Sequence, residues 1–184
     1  MRIIAGSLKS RTVKSVPGET TRPTTDKVKE ALYNTIGPYF DGGMMLDVFA
    51  GSGSVAFEAL SRGMAQAVCI DRAYQAIRTI RENAVSLQVM EQIELIKGNY
   101  PTALKQISGK YQFDLVFIDP PYRLDIIEEM TDLLNAYQLL KEHAWLIFEV
   151  AKETASAERY NGIIKVKEAS YGISKLLYYQ KEDL

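Results

Sequence analysis

Leu46-Asp47-Val48-Phe49-Ala50-Gly51-Ser52-Gly53-Ser54-Val55-Ala56 decides how the chain is read, because an apolar strand there runs into two glycines and then into a helical stretch. Glycines directly after a strand let the backbone turn sharply and approach a ligand, and the N-terminus of the next helix offers free N–H groups. A nucleotide-like cofactor suits such a turn. A second apolar run ends at Asp71, twenty residues after Gly51, where a carboxylate can accept both hydroxyls of a ribose. Gly51-x-Gly53-x-x-Ala56 followed by Asp71 also satisfies a dinucleotide fingerprint, so this region by itself leaves a nicotinamide-dependent dehydrogenase open. Asp47 separates the two readings. An acid so deep in an apolar strand needs a partner. A carboxylate at that place suits a cationic amino acid moiety, such as the methionine part of S-adenosylmethionine, better than a pyrophosphate.

Outward from this loop, short apolar runs at 44–49, 67–70, 93–96, 113–118 and 145–150 have the composition of strands buried on both faces of a parallel sheet. Helical stretches fall between them at 54–62, 73–87, 100–107 and 125–140. This alternation predicts a three-layer, doubly wound, Rossmann-like α/β fold. Two further runs, 163–166 and 176–179, are too close for a crossover helix and should pair antiparallel, completing a mostly parallel seven-stranded sheet with an antiparallel edge. Upstream, strand-like segments around Ile3 and Val13 flank Gly6-Ser7-Leu8-Lys9-Ser10 and predict a β-hairpin. Thr21-Arg22-Pro23-Thr24-Thr25-Asp26 is rich in capping residues, and Val28, Leu32, Tyr33 and Ile36 follow at helical spacing, which predicts an amphipathic helix ending before Gly37-Pro38. The expected organisation is an extension at 1–40 and a catalytic domain at 41–184.

With 184 residues, 47% hydrophobic and 24% charged, the chain has the make-up of a globular protein with a full core. No apolar run reaches the roughly 20 residues that span a bilayer, and the first residues lack a signal-peptide pattern. A cytoplasmic monomer without membrane attachment is the expectation. One cysteine, Cys69, and one histidine, His143, are too few soft ligands for a zinc or iron–sulfur centre, so no metal is expected. The net charge of -1 hides an asymmetry: residues 1–36 carry Arg2, Lys9, Arg11, Lys14, Arg22, Lys27 and Lys29 against Glu19, Asp26 and Glu30. A basic arm on an acidic body fits a polyanion such as nucleic acid, or simply a solvated surface.

The run at 113–118 leads into Asp119-Pro120-Pro121-Tyr122. In a doubly wound sheet, ligands bind beyond the carboxyl ends of the strands, which predicts that this tetrapeptide shares a crevice with the glycine loop. Two prolines hold the turn, so the Asp119 carboxylate and the Pro120 carbonyl offer two acceptors, with Tyr122 as an aromatic platform. That set matches a planar group bearing an exocyclic NH₂, as on guanine or adenine. Holding both amino hydrogens aims the nitrogen lone pair at a methyl group, so positioning supplies the catalysis and no covalent nucleophile is needed. Cys69 lies in a strand and reads as inert packing.

The tetrapeptide after a strand resembles the amino-methyltransferases of the class I S-adenosylmethionine-dependent fold. More narrowly, Arg2-Ile3-Ile4-x-Gly6, Arg22-Pro23-Thr24-Thr25-Asp26-x-Val28-x-Glu30-Ala31-Leu32-x-Asn34, Leu46-Asp47-x-Phe49-Ala50-Gly51-Ser52-Gly53, Phe57-Glu58-Ala59-Leu60-Ser61-Arg62-Gly63 and Tyr171-Gly172 together are similar to the RsmD family. The resemblance runs nearly end to end. It implies methylation of N2 of the guanine at position 966 of bacterial 16S ribosomal RNA, in the small subunit or an assembly intermediate. It also implies that Asp47, Phe49, Ala50, Gly51, Ser52, Gly53, Asp71, Arg72, Asn99 and Tyr100 hold S-adenosylmethionine. Asn99 stands where the family often has an acid facing the adenine amino group. Asp119, Pro120, Pro121 and Tyr122 would hold the guanine, and Arg2, Lys9, Arg11, Arg22 and Thr24 would touch RNA.

Three rivals stay in view. Adenine-N6 methylation of DNA uses the same tetrapeptide, but only about 36 residues lie outside the core to recognise a DNA target. A dehydrogenase leaves Asp47 and Asp119-Pro120-Pro121-Tyr122 unexplained. A noncatalytic rRNA-binding assembly factor on the same fold would keep the arm and lose turnover. Elsewhere His143 reads as a surface residue, Trp145 and Phe148 as core, Tyr171-Gly172 as a turn or a site-lining pair, and 152–159 as an exposed loop or helix.

Overall fold

The computed structural model describes residues 1–18, 24–121 and 126–183 and divides into two compact units, Met1–Tyr100 and Pro101–Leu184. In the first unit, β1 (Met44–Val48), β2 (Gln66–Asp71) and β3 (Ile93–Lys97) are parallel in the order β3-β2-β1. Asp47 stands opposite Cys69, and Asp71 opposite Lys97. The continuous apolar runs behave as doubly covered strands should: Met45, Leu46 and Val48 are fully buried, as are Ala67, Val68, Cys69 and Ile70.

Parallel neighbours need a long crossover connection, usually a helix. Here they are α2 (Ser54–Ser61) and α3 (Tyr74–Ser86). All eight residues of α2 are buried, Glu58 included. Gly53 precedes α2 at φ 79°, and a Cβ there would lie 2.8 Å from the Phe57 ring, so both backbone and packing demand glycine.

Helix α1 (Asp26–Ile36) has the bounds its spacing predicts. Thr25 caps it by accepting from the Val28 N–H at 3.3 Å, and Val28, Leu32 and Tyr33 face inward. Lys29 also lies inside. The expected N-terminal hairpin is reduced to one antiparallel bridge pair, Arg2 with Thr12, framed by Ile3 N–H to the Arg11 carbonyl and Val13 N–H to the Met1 carbonyl. Its strands are short because the segment spends its remaining backbone groups on α2 and α3. Ile3 and Val13 are buried nonetheless.

Helix α4 (Tyr100–Ile107) begins at the last residue of the first unit. The second unit contains β4 (Phe113–Ile118), α5 (Ile127–Ala136), β5 (Leu140–Ala151), β6 (Arg159–Tyr160), β7 (Ile163–Tyr171) and β8 (Ser174–Lys181), with strand order β4-β5-β8-β7-β6. β4 and β5 are parallel, and β8, β7 and β6 continue antiparallel, as the short spacing between the last two runs predicts. The described residues form eight strands rather than seven; the extra one is the two-residue β6, which begins at the last residue of the stretch expected to be a loop or helix. β5 starts at Leu140 instead of 145, since Leu140 and Ala144 are also buried, and this cuts α5 short at Ala136. Phe148 is core, whereas Trp145 is half-buried. Tyr171 and Gly172 lie at the turn between β7 and β8, where Gly172 has φ 62°.

Candidate active site

The carboxyl ends of β1 and β2 build a candidate site within the first unit. Phe49 leaves β1 at φ 63°, a left-handed conformation that is strained for a residue with a bulky side chain and tends to persist at functional turns. Its ring rests on Tyr100, with centroids 5.5 Å apart. Gly51 and Gly53 follow at φ 56° and 79°, and a Cβ on Gly51 would meet nothing within 4 Å, so the loop faces open space there. Asp71 closes the turn from β2. One carboxylate oxygen accepts the Gly51 N–H at 2.9 Å and the other the Ala73 N–H at 2.9 Å. Each oxygen keeps a lone pair for a ligand hydroxyl.

Asp47 is 2% exposed. The Ala56 N–H donates to its carboxylate, but Oδ2 has no hydrogen-bond partner, and neither does the buried Ser54 hydroxyl at the start of α2. Burial, reinforced by the charge of Asp71, pushes the Asp47 carboxyl up to about 8, although the Ala56 N–H works in the opposite direction. Two orphaned buried polar groups beside a glycine turn are costly in a finished core. They fit the ammonium and carboxylate of a bound amino acid moiety. Arg72 and Asn99 are exposed and Tyr100 is half-buried as the first residue of α4, while Ala50 and Ser52 are buried in the loop.

A residue that sequence reasoning left without a role organises the surroundings. Glu58, fully buried on α2, accepts the Ile4 N–H at 2.9 Å, the Ala5 N–H at 3.1 Å and Arg62 Nε at 2.9 Å, and pairs with Lys29 Nζ at 3.8 Å. Lys29 Nζ also donates to the Arg2 carbonyl at 2.9 Å and lies 3.6 Å from Asp26. Burial lowers the Lys29 ammonium below its usual range, against the pull of Glu58 and Asp26. Lys29 is therefore an internal cation and not part of the basic arm. Tyr33 donates its hydroxyl to the Val55 carbonyl at 2.6 Å, and burial and nearby Asp47 push its phenol well up. The sequence signal for Glu58 was an acid set between Val55-Ala56-Phe57 and Ala59-Leu60 in a helix.

The rest of the N-terminal segment is fastened in the same way. The Ser61 hydroxyl accepts the Leu8 N–H and donates to the Ala5 carbonyl, and Gly6 comes so close that a Cβ would overlap the Ser61 carbonyl. The Asn83 amide bonds both the N–H and the carbonyl of Lys14 and also donates to the Ser52 carbonyl in the glycine loop. Arg2, Lys9 and Arg11 are exposed. Thr24 is 7% exposed, and Arg22 lies outside the described residues.

In the second unit, Asp119 follows β4 half-buried, Pro120 is buried and Pro121 exposed; Tyr122 lies outside the described residues. Cys69 is fully buried, and burial pushes its thiol well up, which leaves it an inert packing group. His143 is exposed and pairs with Asp183 at 3.0 Å.

The family described as "Conserved hypothetical protein 95" matches residues 1–180. Ribosomal RNA small subunit methyltransferase D of Haemophilus influenzae is 35% identical over 181 residues, 98% of this chain and 93% of that one. A solved structure of a conserved hypothetical protein from Streptococcus pyogenes is 37% identical and superposes with a TM-score of 0.80, covering 84% of this chain and 96% of that one. An RNA methyltransferase from Salinibacter ruber, solved with S-adenosyl-L-homocysteine, shares the fold at a TM-score of 0.68, over 89% of this chain and 95% of that one, with 13% identity. The strand order, the glycine turn after β1 and this likeness along nearly the whole sequence agree with one another, and the chain belongs to the ribosomal RNA small subunit methyltransferase D family.

Proposed function

We propose that the chain transfers a methyl group from S-adenosylmethionine to the exocyclic N2 amino group of a guanine, position 966 of 16S ribosomal RNA. The observation that carries this reading is the pair of orphaned buried groups, Asp47 Oδ2 and Ser54 Oγ, at a glycine turn closed by Asp71. Family membership supplies the reaction class, and the relative's name supplies ribosomal RNA of the small subunit.

S-adenosylmethionine, when bound, supplies a methyl group on a sulfonium centre. The protein's part is binding and aim. Asp47 and Ser54, with Phe49, Ala50, Gly51, Ser52 and Gly53, hold the amino acid end, and Asp71 with Arg72 holds the ribose. Asn99 and Tyr100 serve the adenine end. Asp119 and the Pro120 carbonyl accept the two amino hydrogens of the guanine, with Pro121 and Tyr122 shaping its seat. Preorganised acceptors of this kind lower the barrier by orientation and electrostatics. Arg2, Lys9, Arg11 and Arg22 contact phosphates, which position the RNA without reading its sequence. Selection of one guanine then comes from extruding that base into the pocket. We further propose a cytoplasmic monomer that acts on the small subunit or its assembly intermediate, with residues 1–40 as the RNA-binding extension of a 41–184 catalytic domain.

The test is methyl transfer from labelled S-adenosylmethionine to small subunits lacking the modification, followed by digestion and mass analysis of the nucleosides. N2-methylguanosine at one site is the expected product. N6-methyladenine on DNA, or no transfer to RNA, would overturn the assignment.

A further inference from the structure

The exposed positions of α3, namely 74, 75, 78, 81, 82, 85 and 86, form one continuous stripe along its 13 residues, a length of about 20 Å. Tyr74, Arg78 and Arg81 recur on it at helical spacing. Tyr74 is 64% exposed, an unusual setting for so large a ring. Glu82 is the one acid in this helix and lies between two cations, with Arg78 Nε at 2.9 Å and Lys14 Nζ at 3.8 Å. The N-terminal segment adds to the same face. Asn83 fixes the Lys14 backbone from both sides, and the Arg11 guanidinium donates to the Ser86 carbonyl at 2.7 Å in the last turn. Four cations, Arg11, Lys14, Arg78 and Arg81, thus gather along a single helix against one carboxylate.

We infer that this stripe is an RNA track, along which the backbone of the substrate RNA runs across α3 from Arg11 toward Tyr74. The inference rests on the proposed rRNA methyltransferase reading and gives it a second contact surface beyond the N-terminal segment. Cations spaced along a helix complement a line of phosphates. An exposed aromatic among them provides a stacking face for an unpaired base. Direction comes from the fold: the Tyr74 end of α3 starts three residues after Asp71, whose carboxylate holds the glycine loop. A strand following the cations is led toward that loop, which places Tyr74 at the end where a base must leave its stack. An acidic protein face could answer the charge but gives no use to Tyr74.

The experiment compares the full chain with an Arg78→Gln/Arg81→Gln double variant, a Tyr74→Ala variant and an exposed-lysine control, Lys110→Gln, in binding to 16S ribosomal RNA, free and within small subunits, from 0.05 to about 0.5 M salt. Losing two phosphate contacts lowers the slope of log affinity against log salt by about 1.4, so the gap from the parent widens about 25-fold for each tenfold dilution of salt. Tyr74→Ala weakens binding by about 5- to 150-fold with the slope unchanged. The control leaves both unchanged. Melting temperature and S-adenosylmethionine affinity stay at parental values in every variant. A parental slope in the double variant would overturn the track, as would an equal fall in the control or a loss seen with subunits but not with free RNA. If the parent itself transfers no methyl group to RNA, the functional reading fails; if it does and the slope does not move, only the track fails.

Discussion

Replacing Glu58 with alanine tests the architecture of the first unit most severely. The carboxylate is fully buried one turn into the helix that follows the glycine loop, and it satisfies Ile4 N–H, Ala5 N–H, Arg62 Nε and Lys29 Nζ together. Removing it leaves a buried lysine and a buried arginine facing each other across the vacated space. Breaking a buried ion pair from one side costs about 3–5 kcal/mol, and each orphaned buried N–H about 1–3 kcal/mol. These costs overlap, since Lys29 keeps Asp26 and the Arg2 carbonyl and Arg62 keeps the Pro38 carbonyl. A net loss on the order of 4 kcal/mol is expected, which for a chain of this size lowers the melting temperature by about 8–16 °C. Calorimetry on parent and variant reads this directly. Glu58→Gln should fall between them, because one amide oxygen still accepts while the amide nitrogen confronts donors. A Glu58→Ala variant melting within 3 °C of the parent would refute the claim that this carboxylate pins the N-terminal segment.

Asp47→Asn should flatten the pH dependence of stability. In the ligand-free chain the folded carboxyl titrates at about 8 against 3.8 for an ordinary aspartate, so its contribution is full below about pH 4 and drains as pH rises to about 8. Denaturant midpoints at pH 5 and 8 should therefore differ in the parent and converge in the variant; the same variant should bind S-adenosylmethionine more weakly. Asp119→Ala should retain the cofactor, by titration calorimetry, and lose most methyl transfer, and equal loss of cofactor binding in Asp119→Ala and Asp47→Ala would contradict the division of roles. Gly53→Ala should cost about 2 kcal/mol or more in denaturant unfolding, because its Cβ meets Phe57 and Ile80 at positive φ; Gly51→Ala should cost only the backbone strain of about 1 kcal/mol.

The parts of the fold that local pattern controls were legible beforehand. Unbroken apolar runs marked the strands that are covered on both faces, and the capping residues before Val28 marked the start of α1. Interactions between distant residues were not. Lys29 counted as surface charge because lysine usually is, yet it falls on the same helical stripe as Leu32, Tyr33 and Ile36, a position that predicts burial and hence a buried partner. The partner, Glu58, lies 29 residues away on another helix, beyond the reach of any periodicity. The hairpin was overdrawn for a related reason: strand-like composition cannot tell a ladder from a segment whose backbone bonds side chains elsewhere. Asp47 was singled out by being an acid in an apolar strand, and the structure shows the matching polar group, Ser54, that composition did not mark.

The stitching of the N-terminal segment has a consequence for the order in which the protein can assemble. Ile4 bonds a residue 54 positions onward, Lys14 one that is 69 onward and Arg11 one that is 75 onward. Such long loops close slowly, and none of these contacts is rewarded until α2 and α3 have formed. During synthesis these residues leave the ribosome well before their partners, and are thus among the last to find their places in the first unit. Until Ser86 has emerged, the Arg11 guanidinium lacks its carbonyl partner, and until α2 and α3 are both made the segment that carries the apolar Ile3 and Val13 beside Arg2, Lys9, Arg11 and Lys14 is not fastened.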